Sequence, residues 1–464
     1  MAAGGATRVT LFRFARTLIL CLLAIGGCAY TIVDNGAVNQ TRAEQIERGI
    51  AQFRELAFTH PVPLVVKNRD QVRQMLLAEL KRDHTDEELD LGGQTGAMTG
   101  VYPAGMNLKG ESLNLLDSQV AGFYDPHDKR MVLVEGAIDV GFWNSAAQFV
   151  ARRDITGEMV LAHELTHALQ DQHFQLEKKM DAVKDNDDRD LALKAIAEGD
   201  ATLSGFGYVS GNLDNATLNT IISRLADLPK TLAAQSGDVP LGLSAPLVFQ
   251  YYDGARFVAY AYRRGGWSAV DAIYHDLPFT SLQIMRPELY FDHSFKPSSV
   301  NLDGYQPFLK EWHKADDDTY GAFLIKVILE RKYGAGAPQL ALADQWTADR
   351  LIVLRHANAL TILWLIAFDN ETSAQSFAQV YARILDSIAV AQPYRMAVKG
   401  RAALVAIGEG SRVFDQFAPA VWSASSIHNE EAAAPVTRLS YGGFASSGEA
   451  PSGQAIQRRA FAEP

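Results

Sequence analysis

Residues Glu158-Met-Val-Leu-Ala-His-Glu-Leu-Thr-His-Ala-Leu-Gln-Asp-Gln-His-Phe174 hold two histidines four positions apart with a glutamate between them, in a stretch free of Pro and Gly. At 3.6 residues per turn, positions four apart lie about 40° from one another around a helix. His163 and His167 therefore project from one face and can share a tetrahedral ion. Glu164 is placed to work on a water beside that ion. Leu161, Leu165, Ala168, Leu169 and Leu176 gather on the other side. The spacing thus predicts an amphipathic helix that buries its leucines and shows its imidazoles to a cleft.

A catalytic zinc usually takes three protein ligands and leaves a fourth position to water, so the pair needs a partner. Two candidates compete. Glu198 lies in Ala195-Ile-Ala-Glu-Gly-Asp-Ala201, which resembles the Glu-Gly-x-Ala segment of gluzincins, whose glutamate comes from a second helix. His173 stands where a metzincin places its third histidine, but Gln170 occupies the position where that pattern has glycine. Gln continues a helix comfortably. In a continuous helix His173 lies ten residues, about 15 Å, beyond His163, too far to share an ion. Glu198 is the expected ligand and His173 the competing one.

On these residues the chain resembles gluzincin-type zincin metallopeptidases, in an envelope-lipoprotein branch. The motif core covers about Asp154 to Ala201. Tyr251-Tyr-Asp-Gly-Ala-Arg-Phe-Val258 is similar to the Tyr-x-x-Gly segment that follows the glutamate ligand in aminopeptidase-like gluzincins. The resemblance implies Zn2+ held by His163, His167 and Glu198, Glu164 as general base, Tyr251 steadying the oxyanion, and a peptide or protein substrate. Asp171 and Asp200 are candidates for holding the far ring nitrogens of the histidines, or equally for solvated helix acids. By the same analogy Met131-Val-Leu-Val-Glu135 is the expected edge strand for pairing with an extended peptide. The 30 residues between His167 and Glu198, including acidic Asp181 to Asp190, predict an insertion loop.

The N-terminus resembles a bacterial lipoprotein signal. Arg8, Arg13 and Arg16 precede an apolar run from Leu18 to Ile25, and Ile25-Gly-Gly-Cys28 resembles a lipobox. The Thr17 to Gly27 stretch is too short to span about 30 Å of hydrocarbon as a helix. The expectation is cleavage of residues 1–27 and lipidation at Cys28. A flexible tether from Ala29 to about Gln40 then holds the chain at the cell envelope through a membrane anchor, and Ala29 permits outer-membrane delivery where two membranes exist. Cys21 and Cys28 are the only cysteines, which leaves the mature chain no disulfide. A formal net charge of −11, with no basic stripe or aromatic-basic repeat, makes nucleic acid a poor partner.

About 360 residues, Pro61 to Trp422, remain for folded structure. Predicted helices are 41–58, 70–82 with Asp70 as N-cap, 218–228, 245–264, 267–275, 320–333 and 374–388. Predicted strands are 63–67 and two hairpins, 120–124 with 131–135 across Asp125-Pro-His-Asp128, and 351–355 with 360–367 across His356-Ala-Asn358. Asp316 to Asp318 reads as a cap for the helix that follows. Tyr260, Tyr262 and Tyr274 read as packing residues. The fold class is α+β, zincin-like. A tether and N-terminal helix cover 28–60, a catalytic region with a small N-terminal sheet covers 61–275, and a mainly helical C-terminal subdomain covers 276–422. A disordered tail is expected over 423–464, where Ala, Ser, Gly, Glu and Pro dominate. The competing function is a non-enzymatic zinc-binding envelope lipoprotein that keeps the scaffold for partner binding or assembly.

Overall fold

A computed structural model describes residues 32–34, 36–135, 154–183, 185–236, 239–295, 298–388 and 392–429. The expected signal segment, the expected lipidation site at Cys28 and the residues beyond Asn429 lie outside these residues. Where the tether was expected, Ile32 is buried in a cluster with Ile46, Ile50 and Leu161. The short strands β1 (Val33–Asp34) and β2 (Ala37–Val38) pair before α1 (Gln40–Arg54) begins. A single large apolar side chain anchored in a core is enough to end the tether there.

The strand β3 (Leu64–Lys67) precedes three helices, α2 (Arg69–Asp83), α3 (Asp86–Thr99) and α4 (Leu108–Gln119), and then the hairpin β4 (Gly122–Asp125) and β5 (Arg130–Val134). Asn68, not Asp70, caps α2, in a reciprocal box with Gln71. Asp125 folds the hairpin turn by accepting from the His127 and Asp128 amides, both at 3.1 Å. The sheet order is β3-β5-β4. This corrects the expected substrate edge: the Met131 to Glu135 strand is central and paired on both sides, and among the described residues the outer strands are β3 and β4.

The helical region comprises α5 (Ile155–Phe174), α6 (Leu176–Val183), α7 (Asp187–Ser210), α8 (Asn215–Leu225), α9 (Leu228–Ser236) and α10 (Leu241–Ile273). The motif helix α5 starts at the Asp154 cap, whose side chain accepts from the Gly157 amide, and stops at Gln175 in the left-handed region. Leu161, Leu165 and Leu169 are each at most 1 % exposed, which stabilises the helix by about 1.5–3 kcal/mol per side chain. The acidic segment expected as an insertion loop is largely helical, since α6 and the first turn of α7 take most of it. In α10 the non-helical Gly265 and Gly266 make the break that the sequence places between 264 and 267.

After α11 (Ser281–Met285) and α12 (Pro287–Phe291) come β6 (Ser298–Asn301), β7 (His313–Asp318), α13 (Gly321–Tyr333), β8 (Trp346–His356) and β9 (Ala359–Phe368). These are followed by α14 (Glu371–Leu385), β10 (Tyr394–Lys399), β11 (Ala402–Gly408), α15 (Phe414–Ala424) and β12 (Ser426–Asn429). The mainly helical C-terminal subdomain is thus corrected: its centre is an antiparallel sheet of order β10-β11-β9-β8-β7. One face, with Leu351, Val353, Ile362, Trp364 and Ile366, packs with α13 and α14 residues. The other, with Ile352, Leu354, Leu363 and Leu365, packs with α15 residues. Covering both faces makes β9 and β11 continuous apolar runs, so the alternation that marks a half-exposed sheet is absent from them.

Asp316 to Asp318 are strand residues, and the Asp318 carboxylate caps α7 by accepting from the Asp187 amide at 2.9 Å. The tail is corrected as well, because α15 and β12, which pairs with β6, carry ordered structure to Asn429. The whole is α+β, and among the described residues no helix is long and apolar enough to cross a membrane.

Candidate metal centre

Helix α5 presents His163 and His167 as neighbouring rings with centroids 4.9 Å apart, as the four-residue spacing requires. Their Nε2 atoms lie 3.2 Å from one another. Glu198 reaches the same point from α7, with Oε2 at 3.2 Å from His163 Nε2 and Oε1 at 3.6 Å from His167 Nε2. Two ligands held about 2.0–2.1 Å from a tetrahedral ion are themselves about 3.3–3.4 Å apart. The separations fit that geometry. Glu198 Oε2 is shielded from solvent yet receives no hydrogen bond, an arrangement that a cation relieves. Among the described residues, His163, His167 and Glu198 are the group placed to hold a metal ion. Their side chains remain 15 to 22 % exposed, so water and solutes reach the cluster.

The charges are consistent with an anionic third corner. Against the upward push of burial, His167 and His163 hold the Glu198 carboxyl far below the usual carboxylate range. Against the downward push of burial, Glu198 raises the His167 ring to about 9, with Glu164 and Gln170 adding. Glu164 lies beside the pair and accepts from the Tyr124 amide on β4 at 3.1 Å. Burial lifts its pKa above the ordinary carboxylate value, while the two rings oppose that shift.

Tyr251, on α10, stacks on His163 with centroids 6.0 Å apart and planes 23° apart. Burial, with the Glu198 and Glu164 charges adding, raises the phenol well above its usual value and keeps it a donor. Gly199 and Gly254 explain its arrival. A Cβ on Gly199 would lie 2.3 Å from the Gly254 carbonyl carbon, so only two glycines let α7 and α10 approach this closely.

His173 is not brought to the cluster. Helix α5 runs through it, and the ring bonds the Ala57 carbonyl at 2.7 Å, closing the loop after α1 onto the helix end. Asp171 and Asp200 do not touch the ligand rings in the way the sequence suggests. Asp171 accepts from Tyr124 Oη at 3.1 Å and Lys129 Nζ at 2.8 Å. The His167 Nδ1 contact is Gln170 Oε1 at 2.9 Å, and Asp200 stands behind it, 3.2 Å from Gln170 Nε2. In the sequence Gln170 reads as a helix-continuing residue and not as a ring partner. Its position three residues after His167 is the signal that could have marked it as a ring partner, since such residues meet on a helix face. Tyr274 combines packing with a polar contact, stacking on Phe174 at 4.3 Å and donating to Asp200 at 2.9 Å.

Residues 307–428 match a family described as a domain of unknown function, DUF8575. The match covers the C-terminal sheet and its helices and leaves out His163, His167 and Glu198. Neither a curated protein nor a solved structure matches the chain.

Proposed function

We propose that the chain is a zinc-dependent metallopeptidase of the gluzincin type that hydrolyses peptide bonds at the cell envelope. The observation that carries this reading is the convergence of His163 Nε2, His167 Nε2 and a Glu198 oxygen at tetrahedral ligand spacing. His163, His167 and Glu198 hold the ion. When bound, zinc supplies Lewis-acid polarisation of the scissile carbonyl and acidifies a water. Glu164, fixed by the Tyr124 amide, accepts a proton from the attacking water and returns it to the leaving amine. Tyr251 donates to the oxygen that gains charge in the transition state, and its raised pKa keeps the proton available. Among the described residues β4 is an outer strand of its sheet and lies next to Glu164, which suits main-chain pairing with an extended peptide.

The envelope address rests on Arg8, Arg13, Arg16 and the lipobox-like Ile25 to Cys28. Labelling with a radioactive fatty acid that disappears in Cys28→Ser supports it, and an unlabelled wild-type chain removes it. The enzymatic reading is tested by zinc analysis and a peptide-library digest of the purified chain beside Glu164→Gln. Expected is zinc in both and cleavage by the wild type alone. A chain without zinc sinks the proposal. Zinc without cleavage under any condition leaves the non-enzymatic scaffold in its place.

A further inference from the structure

Beneath His167 lies a run of buried polar groups that begins on α1. Arg54, with no exposed surface, donates from Nε to Asp200 Oδ1 at 2.8 Å and from Nη2 to Oδ2 at 3.1 Å. Its guanidinium also lies over the Trp267 ring at 4.4 Å. Tyr274 Oη donates to the same Oδ2, and Ser204 Oγ donates to Oδ1. Asp200 is therefore immobilised as an acceptor. Gln170, equally buried, places its Nε2 3.0 Å from the Ala197 carbonyl and 3.2 Å from Asp200 Oδ2.

A backbone carbonyl can only accept, so the amide NH2 of Gln170 must be the end that faces Ala197 and Asp200. Its oxygen then faces His167 Nδ1 at 2.9 Å. That oxygen cannot donate. The hydrogen between the two atoms belongs to the ring, and the other ring nitrogen is the one left to face His163 and Glu198. We infer that Gln170, locked by Asp200 and the Ala197 carbonyl, is a positioning residue that fixes the His167 tautomer, with the proton on Nδ1 and Nε2 presented to the cluster.

Each ligand-bearing helix supplies part of this support: Gln170 follows His167 by three residues on α5, and Asp200 follows Glu198 by two on α7. Arg54 ties Asp200 to α1, so the ring's support includes a helix that provides no ligand. The value of the tautomer for metal binding rests on the proposed zinc site, while the tautomer itself does not.

The test uses the full chain, metal-free and labelled with 15N-histidine, at a pH where the ring is neutral. Expected is a proton on Nδ1 and none on Nε2, with a mixture of both tautomers in Gln170→Met. A wild-type ring that keeps its proton on Nε2 overturns the inference, and this holds whether or not the chain takes up zinc. On zinc addition, Gln170→Met should bind about 10–100-fold more weakly than the wild type, with a similar unfolding midpoint. Equal affinity in a folded variant overturns the positioning role. Should the variant fail to fold, the wild-type proton assignment decides the matter alone.

Discussion

Gly199 and Gly254 meet backbone to backbone, and a Cβ on Gly254 would sit 2.1 Å from the Ala195 carbonyl oxygen. Glu198 precedes the first glycine, and Tyr251 lies one turn before the second. The contact thus sets the separation between Glu198, the proposed third ligand, and Tyr251. Substituting alanine at either position should cost about 1–3 kcal/mol or more through overpacking. Chemical denaturation measures this, and an unchanged midpoint contradicts the assigned role of the contact.

The ligand assignment separates two histidines and a glutamate from a third histidine. His163→Ala and Glu198→Ala should lose zinc. His173→Ala should keep it and lose only the bond to the Ala57 carbonyl, worth about 1 kcal/mol. Zinc content after dialysis, read beside thermal unfolding, checks the set. Zinc loss in His173→Ala alone would reverse the assignment.

Tyr251→Phe retains the ring that stacks on His163 and removes the proton donor. Zinc content should be unchanged and kcat should fall about 10²–10³-fold, the usual cost of one oxyanion donor. A variant with full kcat would leave Tyr251 a packing residue.

A pH effect on stability is expected far from the cluster. Burial pushes the Asp188 carboxyl up to about 7 in the folded chain, although the Ser281 amide and hydroxyl oppose the shift. The folded state therefore holds the proton more tightly than the unfolded state. This contribution is fully present below about pH 4 and is lost as pH rises through about 7, a change on the order of 4 kcal/mol. Asp188→Asn keeps an acceptor for the Ser281 amide at 3.1 Å and should flatten that window. Its stability relative to the wild type should improve between pH 5 and pH 8, as read by urea midpoints; parallel profiles would contradict the argument.

Much of the local structure was legible because it depends on neighbours in the chain. The motif helix, the two hairpins and the break at Gly265 and Gly266 follow from periodicity and turn chemistry. Helix α3 is absent from the expected helices, although Thr85 and Glu88 form a reciprocal capping box whose Thr-x-x-Glu spacing is legible in the sequence. The other strands of the C-terminal sheet were harder. Covered on both faces, Ala402 to Gly408 lacks the alternation that marks a half-exposed strand. The order of the first sheet, with β5 inside and β4 at the edge, is a matter of pairing between segments far apart in sequence.

The sequence by itself determined that His163 and His167 share a face with Glu164 beside them, because helix geometry places residues four apart together whatever surrounds them. It also marked Glu198 and Tyr251 as residues to watch. Only the tertiary structure decided that these reach one point, since the glycine contact between α7 and α10 is made by groups 55 positions apart. It decided likewise that Gln170, and neither Asp171 nor Asp200, meets the ring of His167. A buried donor or acceptor takes whichever partner the packed helices bring within about 3 Å, and no local rule of the chain states which one that will be.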